Sequence, residues 1–205
     1  MKHLKFLFLF IGLTLFVSCG DSDSEQDIAA DNNRVVFLGT IGSLQSRAAD
    51  TSWDEGDEIG IYALNAGAKL SETAIFDGKA NVRYRTDGKG EFTAVAAPIT
   101  FPSEGDLDFV AYYPYQSTIT DYKYNIDVST QSNPAAIDLL YSNNATRQNR
   151  SNDQVNLNFR HMLSMVMFNL KAGDDVPSLD GLTASLKNVV VDGELALADG
   201  AVSIG

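Results

Sequence analysis

The chain has 205 residues, 44% of them hydrophobic and 20% charged, with 16 glycines and 5 prolines. That is a globular composition, with apolar material for one good core and part of a second. A formal charge of −12 and the lack of any basic stripe exclude nucleic-acid binding, because such a surface repels phosphates.

Lys2 and Lys5 precede an uncharged apolar run from Phe6 to Val17, and Ser18 then leads into Cys19, the single cysteine. This is the layout of a secretory signal peptide, and the run is too short to span a bilayer. Leu15-Phe16-Val17-Ser18-Cys19 resembles the lipobox of bacterial lipoproteins, where the thiol is acylated and the chain is cut just before it. Phe16 stands where the commonest lipobox has leucine. The alternative is an ordinary signal peptide cut nearby, with Cys19 left as a spare thiol. Residues 1–18 thus read as signal peptide and Cys19 as the lipid-attachment site. Without the signal the chain keeps 13 basic against 27 acidic side chains, a formal charge of −14. With Cys19 acylated no disulfide can form, so the fold must hold by packing alone. Gly20 to Asp27 is small, polar and acidic, with nothing to bury. It resembles the surface-export signal of lipoproteins in Gram-negative bacteria. Residues 19–33 therefore read as the acidic tether of an outward-facing outer-membrane lipoprotein.

From Arg34 the pattern has period two. Val35–Leu38 is a short β-branched and aromatic run, and Ile59–Leu64 follows the turn-like Asp54-Glu55-Gly56-Asp57. Val82–Arg85 and Glu91–Val95 flank Asp87-Gly88-Lys89-Gly90, a hairpin signal because such turns need positive φ. Leu107–Tyr113 ends at Pro114, which cannot donate to a central ladder. Tyr124–Val128 alternates cleanly. Gln154–Leu170 predicts one long strand that is half-buried up to His161 and then apolar on both faces, as if passing from an edge to a covered centre. A helix over Met162–Met167 stays open, because Met and Leu favour helix. Pro177-Ser178-Leu179-Asp180-Gly181 looks like a linker. Leu182–Val191 then predicts new strands, and Val189–Leu197 with Asp199–Ile204 the arms of a hairpin lacking the partners of a stable sheet. No long segment shows capped helical periodicity. The class is all-β, and short strands at this spacing pack as a sandwich. Residues 34–176 form the body in this reading, and 177–205 the start of a second β domain.

Four segments carry a family resemblance. Trp53-Asp54-Glu55-Gly56-Asp57-Glu58-Ile59-Gly60-Ile61 resembles the W-x-x-G-D-x-I-G-hydrophobic segment of the fimbrillins, fimbrial subunit lipoproteins of the FimA and Mfa type. Phe109 to Tyr115 is similar to that family's aromatic-Pro-Tyr segment, and Asp138-Leu139-Leu140-Tyr141-Ser142 to its D-L-L stretch. Val155–Leu170, with Phe159-Arg160-His161, is similar to its F-x-H strand. The four occur in the family's order after a lipobox. The resemblance implies Greek-key β-sandwich domains of transthyretin type. It also implies polymerisation after a trypsin-like protease cuts behind an arginine near the mature N-terminus. That cut removes the first strand, and a strand from the next subunit fills the groove, which is β-strand addition. The matching bond here is Arg47-Ala48, with Arg34 as second choice. The implied partners are other fimbrial subunits, the outer membrane through the lipid, and host or bacterial surface ligands. Polymerising members carry a complete second domain and a terminal donor strand, and neither fits before Gly205. The sequence thus reads as a fragment or a reduced member, with anchor, tip, accessory or adhesin roles open.

The motifs also read as architecture. Trp53 is expected to pack where a linker meets the first sheet, Asp57 to bind backbone N–H groups two residues on, Asp138 to cap a turn, and His161 to be a hydrogen-bonded histidine. No catalysis is expected, since the histidines are only His3 and His161 and no nucleophile elbow or nucleotide-binding glycine pattern occurs. Neither a cofactor nor a metal is expected. Asp54, Glu55, Asp57 and Glu58 around Gly56 suit Ca²⁺ in type but not in spacing. The rival function is a glycan-binding outer-membrane surface lipoprotein, with Tyr112, Tyr113, Tyr115, Tyr122 and Tyr124 as a stacking platform.

Overall fold

The computed structural model describes residues 33–42, 52–152, 154–176 and 178–205. The expected signal peptide, Cys19, the tether up to residue 32 and the Arg47-Ala48 bond lie outside the described residues.

Seven strands close into a ring. Its order is β1 (Phe37–Ile41), β4 (Glu91–Ala94), β3 (Val82–Asp87), β2 (Glu55–Asn65), β5 (Leu107–Tyr113), β7 (Leu140–Ser142) and β8 (Val155–His161). Neighbours are antiparallel except at the closure, where β1 lies parallel to β8 with Phe37 opposite Val155 and Ile41 opposite Phe159. A second sheet has the order β10 (Ala201–Ile204), β9 (Asp192–Ala196), β6 (Lys123–Asp127). The all-β class is the expected one.

Local chemistry accounts for most of these strands. The β3–β4 hairpin turns where Gly88 and Gly90 hold φ of +83° and +92°, and Asp87 Oδ1 accepts the Lys89 N–H at 2.8 Å. β2 and β5 are apolar on both faces because both are covered. Ile59, Ile61, Ala63, Phe109 and Ala111 face the ring's core, whereas Tyr62, Leu64, Val110 and Tyr112 pack with Tyr124, Ile126, Leu195 and Leu197 of the second sheet. β8 is one-sided, with Val155, Leu157 and Phe159 inside and the intervening Asn156, Asn158 and Arg160 exposed.

Two expectations are corrected. The long strand over Gln154–Leu170 stops at His161. Beyond the Met162 N–H bond to the Leu139 carbonyl (2.8 Å), none of the described residues before β9 lies in a strand, and Met165, Val166, Met167, Phe168 and Leu170 are exposed. Apolar residues on both parities need a partner at each edge and cover on each face, and neither is present among the described residues. The helix left open at Met162–Met167 does not form either. Leu182–Val191 likewise forms no strand, and Leu182, Leu186, Val189 and Val190 are exposed for the same reason. The hairpin at the C-terminal end does form. Its β9 pairs with β6, so residues read as the start of a second domain share a sheet with the first, and Asp31–Gly205 cluster as one unit.

Candidate functional site

β1 alternates burial along its length. Val35 and Phe37 are fully buried just before and within it, Gly39 is buried, Ile41 is half-buried at the rim, and Thr40 faces out. Phe37 sits edge-on to Tyr84 and Phe109, at centroid distances of 5.0 and 5.1 Å. Main-chain bonds fix the strand on both sides. Val155 N–H donates to the Val36 carbonyl (2.8 Å) and Gly42 N–H to the Phe159 carbonyl (2.8 Å). Gly39 N–H donates to the Gly90 carbonyl (2.7 Å).

Under β1 lies an aromatic box. Trp53 meets Phe92, Phe159 and Tyr113 edge-on at 5.1, 5.2 and 5.4 Å, and its indole N–H donates to the Gly39 carbonyl at 2.8 Å. A Cβ on Gly39 would lie 2.6 Å from the Phe92 ring and 3.3 Å from both Trp53 Nε1 and the Phe159 ring. A glycine is therefore required where the strand passes over this box. Trp53 packs as the sequence suggested. Gly39 and Phe92 carry no motif of their own, and only the period-two spacing of Val35, Phe37 and Ile41 points at them.

The acidic run after Trp53 is spent on the scaffold. Asp57 Oδ2 accepts the Asp54 N–H (2.9 Å), three residues back rather than two on, and its other oxygen accepts the Tyr113 hydroxyl (3.1 Å). Burial and the adjacent Asp57 carboxylate push the Tyr113 hydroxyl well above its ordinary pKa. Glu58 takes Arg83 and Arg85 together, each at 2.6 Å. Burial alone would raise the Glu58 carboxyl. The hydrogen bonds and charges of the two arginines outweigh it and hold the group below its usual range. Among the described residues no three potential ligands converge as a metal site would need.

Other expected residues fall as follows. Cys19, Arg47 and Ala48 are outside the described residues, but 43–51 joins β1 to Trp53, so a cut at Arg47-Ala48 severs β1 from the body. A cut behind Arg34 would leave β1 attached. His161 Nδ1 lies 2.9 Å from Asp138 Oδ1, and its Nε2 is buried without a partner. Asp138 thus follows the 3-10 turn Pro134–Ile137 as its C-cap residue, and its side chain holds the histidine. Of the five tyrosines offered as a glycan platform, Tyr112 and Tyr124 are buried against each other at 5.5 Å, with no ring face free for a sugar.

A sequence model of the fimbrillin-like family matches residues 46–205. The chain belongs to the fimbrillin-like family. This fimbrillin-like chain is 31% identical over 218 residues to a candidate fimbrium subunit, Fim1C, of Bacteroides uniformis. That alignment covers 98% of the chain and 69% of the relative. A candidate cell adhesion protein of Bacteroides ovatus, solved by crystallography, shares the fold at a TM-score of 0.58 and 20% identity, over 82% of this chain and 66% of that one. A second such structure, from Bacteroides uniformis, is 36% identical at a TM-score of 0.49, over 63% of this chain and 49% of that one. The fimbrillin-like chain thus spans about half the length of that solved relative. The relatives' names speak of fimbriae and adhesion and not of a reaction.

Proposed function

We propose that this chain is a non-catalytic fimbrial subunit or fimbria-associated adhesin whose ring accepts a strand from a neighbouring subunit in the place of β1. In this reading Cys19 carries the lipid that holds the uncut chain on the outer membrane. A trypsin-like cut at Arg47-Ala48 frees β1, and the slot between β8 and β4 becomes the acceptor groove. The ring is the strand arrangement of a Greek-key, transthyretin-like sandwich, and β9 and β10 are the first strands of a second domain docked on it through β6. Other fimbrial subunits are the principal partners, and surface ligands of host or bacterium are met at the fibre.

One observation carries this reading. β1 buries alternate side chains in the core, is held by main-chain bonds on both edges, and is joined to the body by the segment that contains Arg47. A strand of that kind is removable in one cut and replaceable by any chain with the same backbone and spacing. Trp53 is the sole tryptophan and touches β1, so its fluorescence reports on the slot. Cleavage followed by mild urea is expected to shift Trp53 emission to the red as β1 leaves. Excess peptide of residues 34–42 is expected to restore it. If β1 cannot be separated from the cut chain short of global unfolding, strand replacement is not how this subunit assembles.

A further inference from the structure

Resting on that reading, we infer that the β1 slot selects its incoming strand by a glycine: the acceptable segment runs aliphatic-x-aromatic-x-Gly-x-aliphatic, with the glycine over Trp53. The occupant is thus an extended segment of a neighbouring subunit with that spacing, matching Val35, Phe37, Gly39 and Ile41.

Two independent features impose the glycine. The first is steric. The Phe92 and Phe159 rings and the Trp53 indole close over the Gly39 position, and the nearest, Phe92, would stand 2.6 Å from a Cβ placed there. Phe92 and Phe159 are each packed edge-on against Trp53, so neither can give way without disturbing the indole. The second is a hydrogen bond. The buried Trp53 N–H has the Gly39 carbonyl as its acceptor, 2.8 Å away. A side chain that lifted the strand off the box would strand that donor in an apolar site, which is costly. Backbone proximity adds to both, because Gly90 approaches so closely that a Cβ on it would lie 2.8 Å from the Gly39 carbonyl. The aromatic position follows from Phe37, which fills the space between Tyr84 and Phe109 completely and whose loss would leave a cavity. Most edge-pairing grooves take any β-former, since main-chain bonds are indifferent to sequence. This slot excludes all of them at one position.

The test uses the whole chain with a site-specific protease sequence in place of residues 44–50, so that it does not depend on the natural cleavage bond. After cleavage, labelled peptides of residues 34–42 are offered as native, Gly39→Val and Thr40→Val, the last altering an outward position whose hydroxyl makes one exposed hydrogen bond, to Asn158 Oδ1 at 3.1 Å. Uptake is read by size-exclusion chromatography and by Trp53 emission. Native and Thr40→Val peptides are expected to enter alike, and Gly39→Val about tenfold to a hundredfold more weakly, as overpacking of a tight core implies. Equal uptake of Gly39→Val overturns the glycine rule and leaves strand replacement standing. Failure of every peptide to enter overturns both.

Discussion

Gly39 makes the chain sensitive to a single methyl group. In the uncut protein, Gly39→Ala forces a Cβ against the Phe92 ring, and Gly39→Val adds two more carbons in the same place. Overpacking of this kind costs about 1–3 kcal/mol. The urea midpoint of Gly39→Val is expected to fall accordingly, whereas Thr40→Val on the exposed face changes stability by no more than about 0.5 kcal/mol. Asp138 makes a second such case. Asp138→Ala removes the 2.9 Å partner of His161 Nδ1 and leaves a buried ring nitrogen without its hydrogen bond. A loss of about 1–3 kcal/mol in the same urea experiment is expected. Glu58 supplies the pH dependence. Its folded pKa is depressed, so the stability it contributes is complete above the unfolded value and declines as pH falls through the folded one. Thermal melts from pH 7 to pH 3 should show a steeper acid loss in the native chain than in Glu58→Gln. Parallel curves would mean that Arg83 and Arg85 hold nothing that titrates.

At the level of strands, some elements were legible because their signals are local. Leu107–Tyr113 was bounded to the residue, since a β-branched and aromatic run met Pro114. Asp87 to Gly90 announced its hairpin through residues that tolerate positive φ. The β1–β8 pairing could not be read in this way. It joins residues 118 positions apart, in the parallel sense, and no short window contains both partners. The candidate slot was invisible for the same reason, although the resemblance put a removable strand ahead of Arg47. Its three walls, Trp53, Phe92 and Phe159, come from three separate stretches and meet only in the fold. The stretch after His161 failed in the opposite direction. Apolar residues on both parities demand cover on both faces, and the described residues contain nothing to supply it, so the expected strand does not continue there.

For the molecule as a whole, charge and exposed apolar surface act against each other. A formal charge of −12 with a pI near 4.4 keeps copies apart at neutral pH. Yet β10 has no charged residue, pairs only with β9 among the described residues, and exposes Val202 and Ile204; Met165 to Phe168, Leu170, Leu182, Leu186, Val189 and Val190 are exposed as well. Sheet edges of soluble proteins are usually blunted by lysine, proline or a bulge, and this one has none of them. Repulsion is then the main barrier to edge-to-edge pairing. It is screened within about 3 Å at 1 M salt and vanishes near the isoelectric point. Sedimentation at neutral pH and low salt is therefore expected to show a monomer. Larger species should grow as pH falls toward 4.4 or as salt rises. Ile204→Lys places a cation on the β10 edge and should suppress that growth, while Lys69→Ala, an exposed residue outside the β10–β9–β6 sheet, should not. Association that persists unchanged in Ile204→Lys would shift responsibility from the edge of β10 to the apolar residues between His161 and β9, where paired substitutions of Phe168 and Val190 by serine make the same measurement decisive.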